Sequence, residues 1–152
     1  MSAEQKAYPR VGFDHMGIVV SDIDRYVKWY SEAFDLTSDL EFVMGPENNI
    51  RGIVLISPDG WRLELFECPG STPSVREAHP MGQHKTQGIT HLCLQASDIQ
   101  PVFDRLVALG AAVHMEPQIV AGSLDTTTPV DPNLRIAYLS DPEGNLIELL
   151  ER

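Results

Sequence analysis

The feature that most constrains this chain is an internal duplication marked by two histidines. His15 stands in Phe13-Asp14-His15-Met16-Gly17-Ile18-Val19-Val20, and His91 stands 76 residues later in Ile89-Thr90-His91-Leu92-Cys93-Leu94. Each histidine is followed at the same distance by Ser-Asp-Ile, at Ser21-Asp22-Ile23 and Ser97-Asp98-Ile99. A second match lies near the end of each copy, where Asp59-Gly60-Trp61-Arg62-Leu63-Glu64-Leu65-Phe66-Glu67 aligns without gaps on Glu143-Gly144-Asn145-Leu146-Ile147-Glu148-Leu149-Leu150-Glu151. That offset is 84, so the second copy carries a net eight extra residues, most simply placed in the Gly/Thr/Pro-rich stretch 118–133. A period this long exceeds that of solenoid repeats and implies two pseudo-symmetric modules.

Within each copy the periodicity changes in the same order. Val11–Val20 is apolar and β-branched, as a strand requires. Ile23, Tyr26, Val27, Tyr30, Ala33 and Phe34 then recur at helical spacing, with Ser21 or Asp22 available as N-cap. Strands follow at Glu41–Met44, Ile50–Ser57 and Trp61–Glu67, joined by turn-rich segments. The second copy reads as strand Ile89–Ala96, helix Ile99–Leu109, and strands near Ala112–Met115, Leu134–Leu139 and Asn145–Glu151. The expected fold class is α+β: a leader at 1–10, a βαβββ module at 11–67, a linker at 68–87 and a second βαβββ module at 88–152, together one compact pseudo-symmetric domain.

Strand alternation divides the chemistry from the core. Leu63, Leu65, Leu92, Leu94, Ile147 and Leu149 fall on the face that a helix should cover, while His15, Glu64, His91 and Glu148 fall on the other. Glu67 and Glu151 are also paired by the repeat, but at strand ends where exposure is expected. Two imidazoles and two carboxylates in mid-strand positions suit a borderline or harder divalent ion and leave positions open for water or substrate oxygens. Singly, each of the four reads as an ordinary polar strand residue. Their recurrence at matching positions favours a shared role, because four such groups on one face are expensive to bury without one.

Composition removes several other classes. A formal charge of −11 argues against nucleic acid and anionic membranes as partners. No segment reaches the roughly 20 apolar residues of a membrane helix, and the first ten residues lack a signal core, so a cytoplasmic location is expected. Cys68 and Cys93, the two cysteines, lack CxxC spacing and read as reduced.

His15-Met16-Gly17-Ile18, Leu63-Glu64-Leu65-Phe66, Gly88-Ile89-Thr90-His91-Leu92 and Asp141-Pro142-Glu143-Gly144-Asn145-Leu146-Ile147-Glu148-Leu149 resemble the motifs of the vicinal oxygen chelate superfamily. That group contains glyoxalase I, methylmalonyl-CoA epimerase, extradiol dioxygenases and the fosfomycin and bleomycin resistance proteins, and the resemblance covers residues 11–151. It implies paired βαβββ modules whose curved mixed sheet forms an open half-barrel with helices on the outer face. Carried over by position, it implies one divalent ion (Zn, Ni, Co, Mn or Fe) held by His15, Glu64, His91 and Glu148.

A shared fold does not fix the reaction. Extradiol dioxygenases typically use two histidines and one carboxylate, so Glu64 fills a place they leave open; bleomycin-binding relatives generally lack the ligands. The His, Glu, His, Glu set is similar to bacterial glyoxalase I, whereas methylmalonyl-CoA epimerase normally has Gln at the position of Glu64, although the long 68–87 linker is more like the epimerase branch. The resemblance therefore implies a metal-dependent lyase or isomerase acting on a small substrate with vicinal oxygens through an enediolate. Glu148 or Glu64 would move the proton, with Glu41 and Glu47 as weaker candidates. A ring-cleaving dioxygenase and a binding or resistance protein are the alternatives. Arg62 and Arg135 are candidate anion holders and Phe13, Phe66, Trp61 and Tyr138 candidate apolar lining. The 118–133 insertion is a candidate lid. His79, His84 and His114 read as surface residues. Edge strands on pseudo-symmetric modules suggest a homodimer.

Overall fold

In the computed structural model, described for residues 11–45, 47, 49–74 and 79–152, the two copies form two four-stranded sheets with the same topology. The first module runs β1 (His15–Val19), α1 (Ile23–Phe34), β2 (Thr37–Met44), β3 (Ile50–Ile56) and β4 (Arg62–Glu67). A short helix α2 (Pro80–Gln83) interrupts the connection, and β5 (Leu92–Gln95), α3 (Ile99–Ala108), β6 (Ala112–Ile119), β7 (Arg135–Ser140) and β8 (Leu146–Glu151) follow. Strand orders are β1-β4-β3-β2 and β5-β8-β7-β6. In each sheet the first and last strands pair in parallel and the rest antiparallel. These are open mixed sheets, as the family resemblance implied; the 1–10 leader lies outside the described residues.

Local chemistry explains the helices. The Asp22 carboxylate accepts from the backbone N–H of Arg25 at 3.0 Å and the Asp98 carboxylate from that of Gln100 at 3.0 Å, so both Ser-Asp-Ile motifs are N-caps. Helix α1 buries Ile23, Tyr26, Trp29, Tyr30 and Ala33, one stripe at three- and four-residue steps, and stops where Asp35 turns left-handed at φ 57°. Trp29 sits on that stripe, while Val27 and Phe34 border it half-buried. Glu67 and Glu151, expected to be exposed, instead reach across from the strand ends: their carboxylates accept the backbone N–H of Ile23 at 2.8 Å and of Ile99 at 3.0 Å. A carboxylate at a helix N-terminus satisfies an otherwise orphan donor and complements the helix dipole. The repeat therefore preserves these glutamates as ties between the last strand and the helix of each module.

Leu63, Leu65, Ile147 and Leu149 are buried beneath the helices as alternation required, and one continuous core joins both modules. The seam is polar as well as apolar. Trp29 Nε1 donates to the carbonyl of Leu109 at 2.9 Å, and the Tyr30 hydroxyl donates to Asp141 at 2.8 Å. Asp141, only 2% exposed, also accepts from the backbone of Glu143 and Asn145, fixing the turn into β8. Burial and the Asp141 charge push the Tyr30 hydroxyl well above its usual pKa, so it remains a donor.

Several element boundaries differ from expectation for identifiable reasons. Strand β2 starts at Thr37 and β6 runs to Ile119, because antiparallel partners extend them past their apolar stretches through irregular register near Ser38 and Leu40 and between Val113 and Gln118. The 118–133 insertion is consequently shorter as a loop, and it contains a 3-10 turn at Ala121–Ser123. His79 caps α2 by accepting the N–H of Met81 at 3.2 Å, giving part of the 68–87 linker its own structure.

Candidate functional site

The four candidate ligands come together as two pairs. His15 heads β1 and Glu64 lies in the adjacent parallel β4, with Nε2 and Oε2 3.2 Å apart. In the second module His91, the residue before β5, has its Nε2 2.8 Å from Oε2 of Glu148 in β8. Register accounts for the equivalence: Gly17 is the cross-strand partner of Glu64, and Cys93 the partner of Glu148, each two residues beyond its histidine and on the same strand face. Both carboxylates are well covered, at 16% and 12% side-chain exposure, yet neither sits in the apolar core.

Among the described residues no three His, Cys, Asp or Glu side chains form a single group that could hold a metal ion. Each pair nevertheless has the spacing of neighbouring ligands. Two donors each about 2.0–2.2 Å from one ion at right angles lie about 3 Å apart. The imidazole and carboxylate chemistry of each pair, with no thiolate at either of the paired positions, is of a kind that suits a divalent ion.

The surroundings of the two pairs differ. Beside Glu64 the first module offers Gly17, where an added Cβ would lie 3.4 Å from Oε2 and 3.4 Å from the Phe66 ring. Phe66 meets Phe42 edge to face with centroids 6.0 Å apart, and the Phe42 ring lies directly over Gly52. A Cβ on Gly52 would fall 2.3 Å from Phe42, so the glycine creates the space for this aromatic wall. Beside Glu148 the second module offers polar neighbours: Tyr138 and Cys93 are its cross-strand partners on β7 and β5. Burial, then the nearby Glu148 charge, pushes Tyr138 up to about 12 and Cys93 up to about 11, so both remain protonated near neutrality. The Tyr138 ring also stands edge-on to His91, 5.8 Å between centroids.

Two clefts border the edge strands β1 and β5. One of about 720 Å³ is lined by Gly17, Val19, Thr90 and His91, among others, and therefore touches both the neighbour of Glu64 and the second histidine. The other, of about 610 Å³, is lined by Phe13, Met16, Arg62, Cys93 and Leu94.

The remaining candidates divide clearly. Phe66 and Tyr138 stand beside the pairs, and Phe13 is 77% exposed at the second cleft. Trp61 packs against Phe34 at the edge of the core, centroids 6.3 Å apart, and does not line the aromatic wall. Arg62 pairs with Asp39 at 3.1 Å and Asp14 at 3.5 Å, and Arg135 pairs with Glu151 at 3.0 Å. Both arginines thus have carboxylate partners. Glu41 pairs with Arg51 at 3.1 Å, away from either histidine pair. His114 contacts Ser140 Oγ at 3.0 Å. Asp14, Thr90, Phe42 and Cys93 were not among the candidates; Cys93 was within reach of the same alternation rule that selected His91.

A family model described as the Glyoxalase/Bleomycin resistance protein/Dioxygenase superfamily matches residues 12–149. A glyoxalase family protein from Bacillus cereus superposes with TM-score 0.67 at 21% identity, covering 97% of both chains. Glyoxalase I from Zea mays superposes with TM-score 0.66 at 21% identity over 91% of this chain but only 43% of its own, so this chain spans less than half of the maize enzyme. The fosfomycin resistance protein FosX from Listeria monocytogenes, in complex with Mn(II) and sulfate, gives TM-score 0.61 at 16% identity, covering 95% and 94%. No curated protein matches at the sequence level. At these identities the structural likenesses establish the fold.

Proposed function

Because the chain belongs to the Glyoxalase/Bleomycin resistance protein/Dioxygenase superfamily, we propose that it is a divalent-metal-dependent lyase or isomerase that moves a proton on a small substrate with vicinal oxygens. The observation that carries this reading is the pair of His–Glu couples, at 3.2 and 2.8 Å, on equivalent strands of the two modules. His15, Glu64, His91 and Glu148 would hold one ion, the two pairs closing on it within one chain or between the two chains of a homodimer. When bound, that ion would act as a Lewis acid for negative charge developing on two adjacent substrate oxygens.

The chain's own residues supply the rest. Glu64 or Glu148 takes the proton from the carbon next to the chelated oxygens and returns it to the neighbouring atom, the role a carboxylate fills in general acid–base catalysis. Tyr138 and Cys93 flank Glu148 as its cross-strand neighbours, whereas Glu64 faces the space left by Gly17. Phe42 and Phe66 form an apolar wall on the Glu64 side of the first pair. Arg62 and Arg135 are paired with carboxylates, the salt-bridge role that ranks ahead of anion binding for both, so substrate anions depend little on them.

The test is proton exchange. The protein loaded with Ni, Co or Zn is expected to wash deuterium from D₂O into a hemithioacetal or acyl-thioester substrate, and Glu64→Gln or Glu148→Gln to slow this by at least the 10²-fold typical of a lost acid–base group. Oxygen uptake on a catechol by the Fe(II)-loaded protein, without such exchange, would overturn the reading in favour of a dioxygenase.

A further inference from the structure

The two half-sites depart from the repeat immediately behind their histidines: Asp14 precedes His15, and Thr90 precedes His91. Asp14 Oδ2 lies 2.9 Å from His15 Nδ1. An ionised carboxylate can only accept, so Nδ1 must carry the hydrogen, and the other ring nitrogen, Nε2, is the atom turned to Glu64. Asp14 is itself held. Its second oxygen faces Arg62 Nη1 at 3.5 Å, and Arg62 Nε donates to Asp39 at 3.1 Å, while Arg62 is the cross-strand partner of His15. A chain of alternating charges therefore runs from β2 through β4 to the back of the β1 imidazole.

Behind His91 the partner is neutral. Thr90 Oγ1 lies 2.8 Å from Nδ1, and a hydroxyl donates or accepts equally well, so it does not dictate which ring nitrogen is free. Which nitrogen of a ligating histidine binds the ion is set by the hydrogen bond its other nitrogen makes, and an anionic acceptor also strengthens the ring as a donor.

We propose that Asp14, anchored by Arg62, is a positioning residue that presets His15 Nε2 toward the metal and makes the first module the tighter-binding half of the site. This inference rests on the metal reading above. It gives Arg62 a supporting role in place of substrate binding, and it assigns Asp14 a function that no repeat signal could reveal, since the second copy lacks it.

The experiment is a Co(II) titration of the full-length protein, followed by calorimetry and by the visible absorption of bound Co(II). Asp14→Ala is expected to weaken Co(II) binding by about 10–100-fold, the usual cost of losing an outer-shell partner, and Asp14→Glu to restore much of it. Thr90→Val should weaken binding several-fold less than Asp14→Ala, and Arg62→Gln should fall between wild type and Asp14→Ala. Unchanged affinity in Asp14→Ala, or an equal loss in Thr90→Val, would overturn the inference. His15→Ala separates the two levels: if it too leaves Co(II) affinity unchanged, the metal reading fails, whereas loss in His15→Ala beside wild-type affinity in Asp14→Ala sinks only the role given to Asp14.

Discussion

His15 lies between two carboxylates, Asp14 at Nδ1 and Glu64 at Nε2, and in the metal-free chain both favour the imidazolium. The hydrogen bond that His15 donates to Asp14 is the main cause of its raised pKa, with the Glu64 charge adding to it, and the same bond holds Asp14 below the usual carboxylate range. The sign follows directly. A raised folded-state pKa contributes stability that is fully present below the ordinary value of 6.5 and is lost as pH rises through the folded value. We expect the His15 ring signals in NMR spectra of the metal-free protein to titrate above 6.5, and Asp14→Asn to bring the midpoint back down; titration at or below 6.5 in the wild type would contradict the arrangement. The four candidate ligands stood out in the sequence because the histidine and the glutamate each occur twice, at offsets of 76 and 84. Asp14 was not singled out and Tyr138 only as apolar lining, because their repeat counterparts are Thr90 and Val54, and a one-copy residue has no offset to betray it.

At the scale of elements, alternation put Leu63 and Leu65 of β4 and Ile147 and Leu149 of β8 on the buried face and Glu64 and Glu148 on the other, because a period of two leaves a half-buried strand little freedom. The edge strands β2 and β6 were shorter in the sequence reading than in the molecule. Their residues are largely exposed and interrupted by irregular register, so the apolar pattern that marks a strand is diluted. The Gly52–Phe42 contact belongs to this level and was invisible in sequence, since it joins two strands through a missing side chain. Gly52→Ala should drive the Phe42 ring out of its seat and cost about 1–3 kcal/mol as overpacking, measured by urea unfolding. In a Phe42→Ala background the same glycine change should cost much less, as expected for directly contacting residues. Additive losses would show that the clash is relieved elsewhere.

At the scale of the whole molecule, duplication has been used twice. The apolar faces of both copies, with α1 and α3, make one core, and Tyr30–Asp141 and Trp29–Leu109 stitch the modules across it. The opposite faces each carry one His–Glu pair. The fold was readable from the repeat, and the family model confirms the lineage across 138 of the 152 residues, 12 through 149. How two half-sites meet was not readable, because strand alternation sets the face of a residue but not the relation between two sheets. The most direct test of the account is therefore metal stoichiometry, measured by elemental analysis and equilibrium dialysis on the wild type and on His15→Ala, Glu64→Ala, His91→Ala and Glu148→Ala. One ion per chain in the wild type, with affinity lost on removing any of the four, is the result predicted; two ions per chain, or dependence on only one of the two pairs, would contradict a single site shared by both modules.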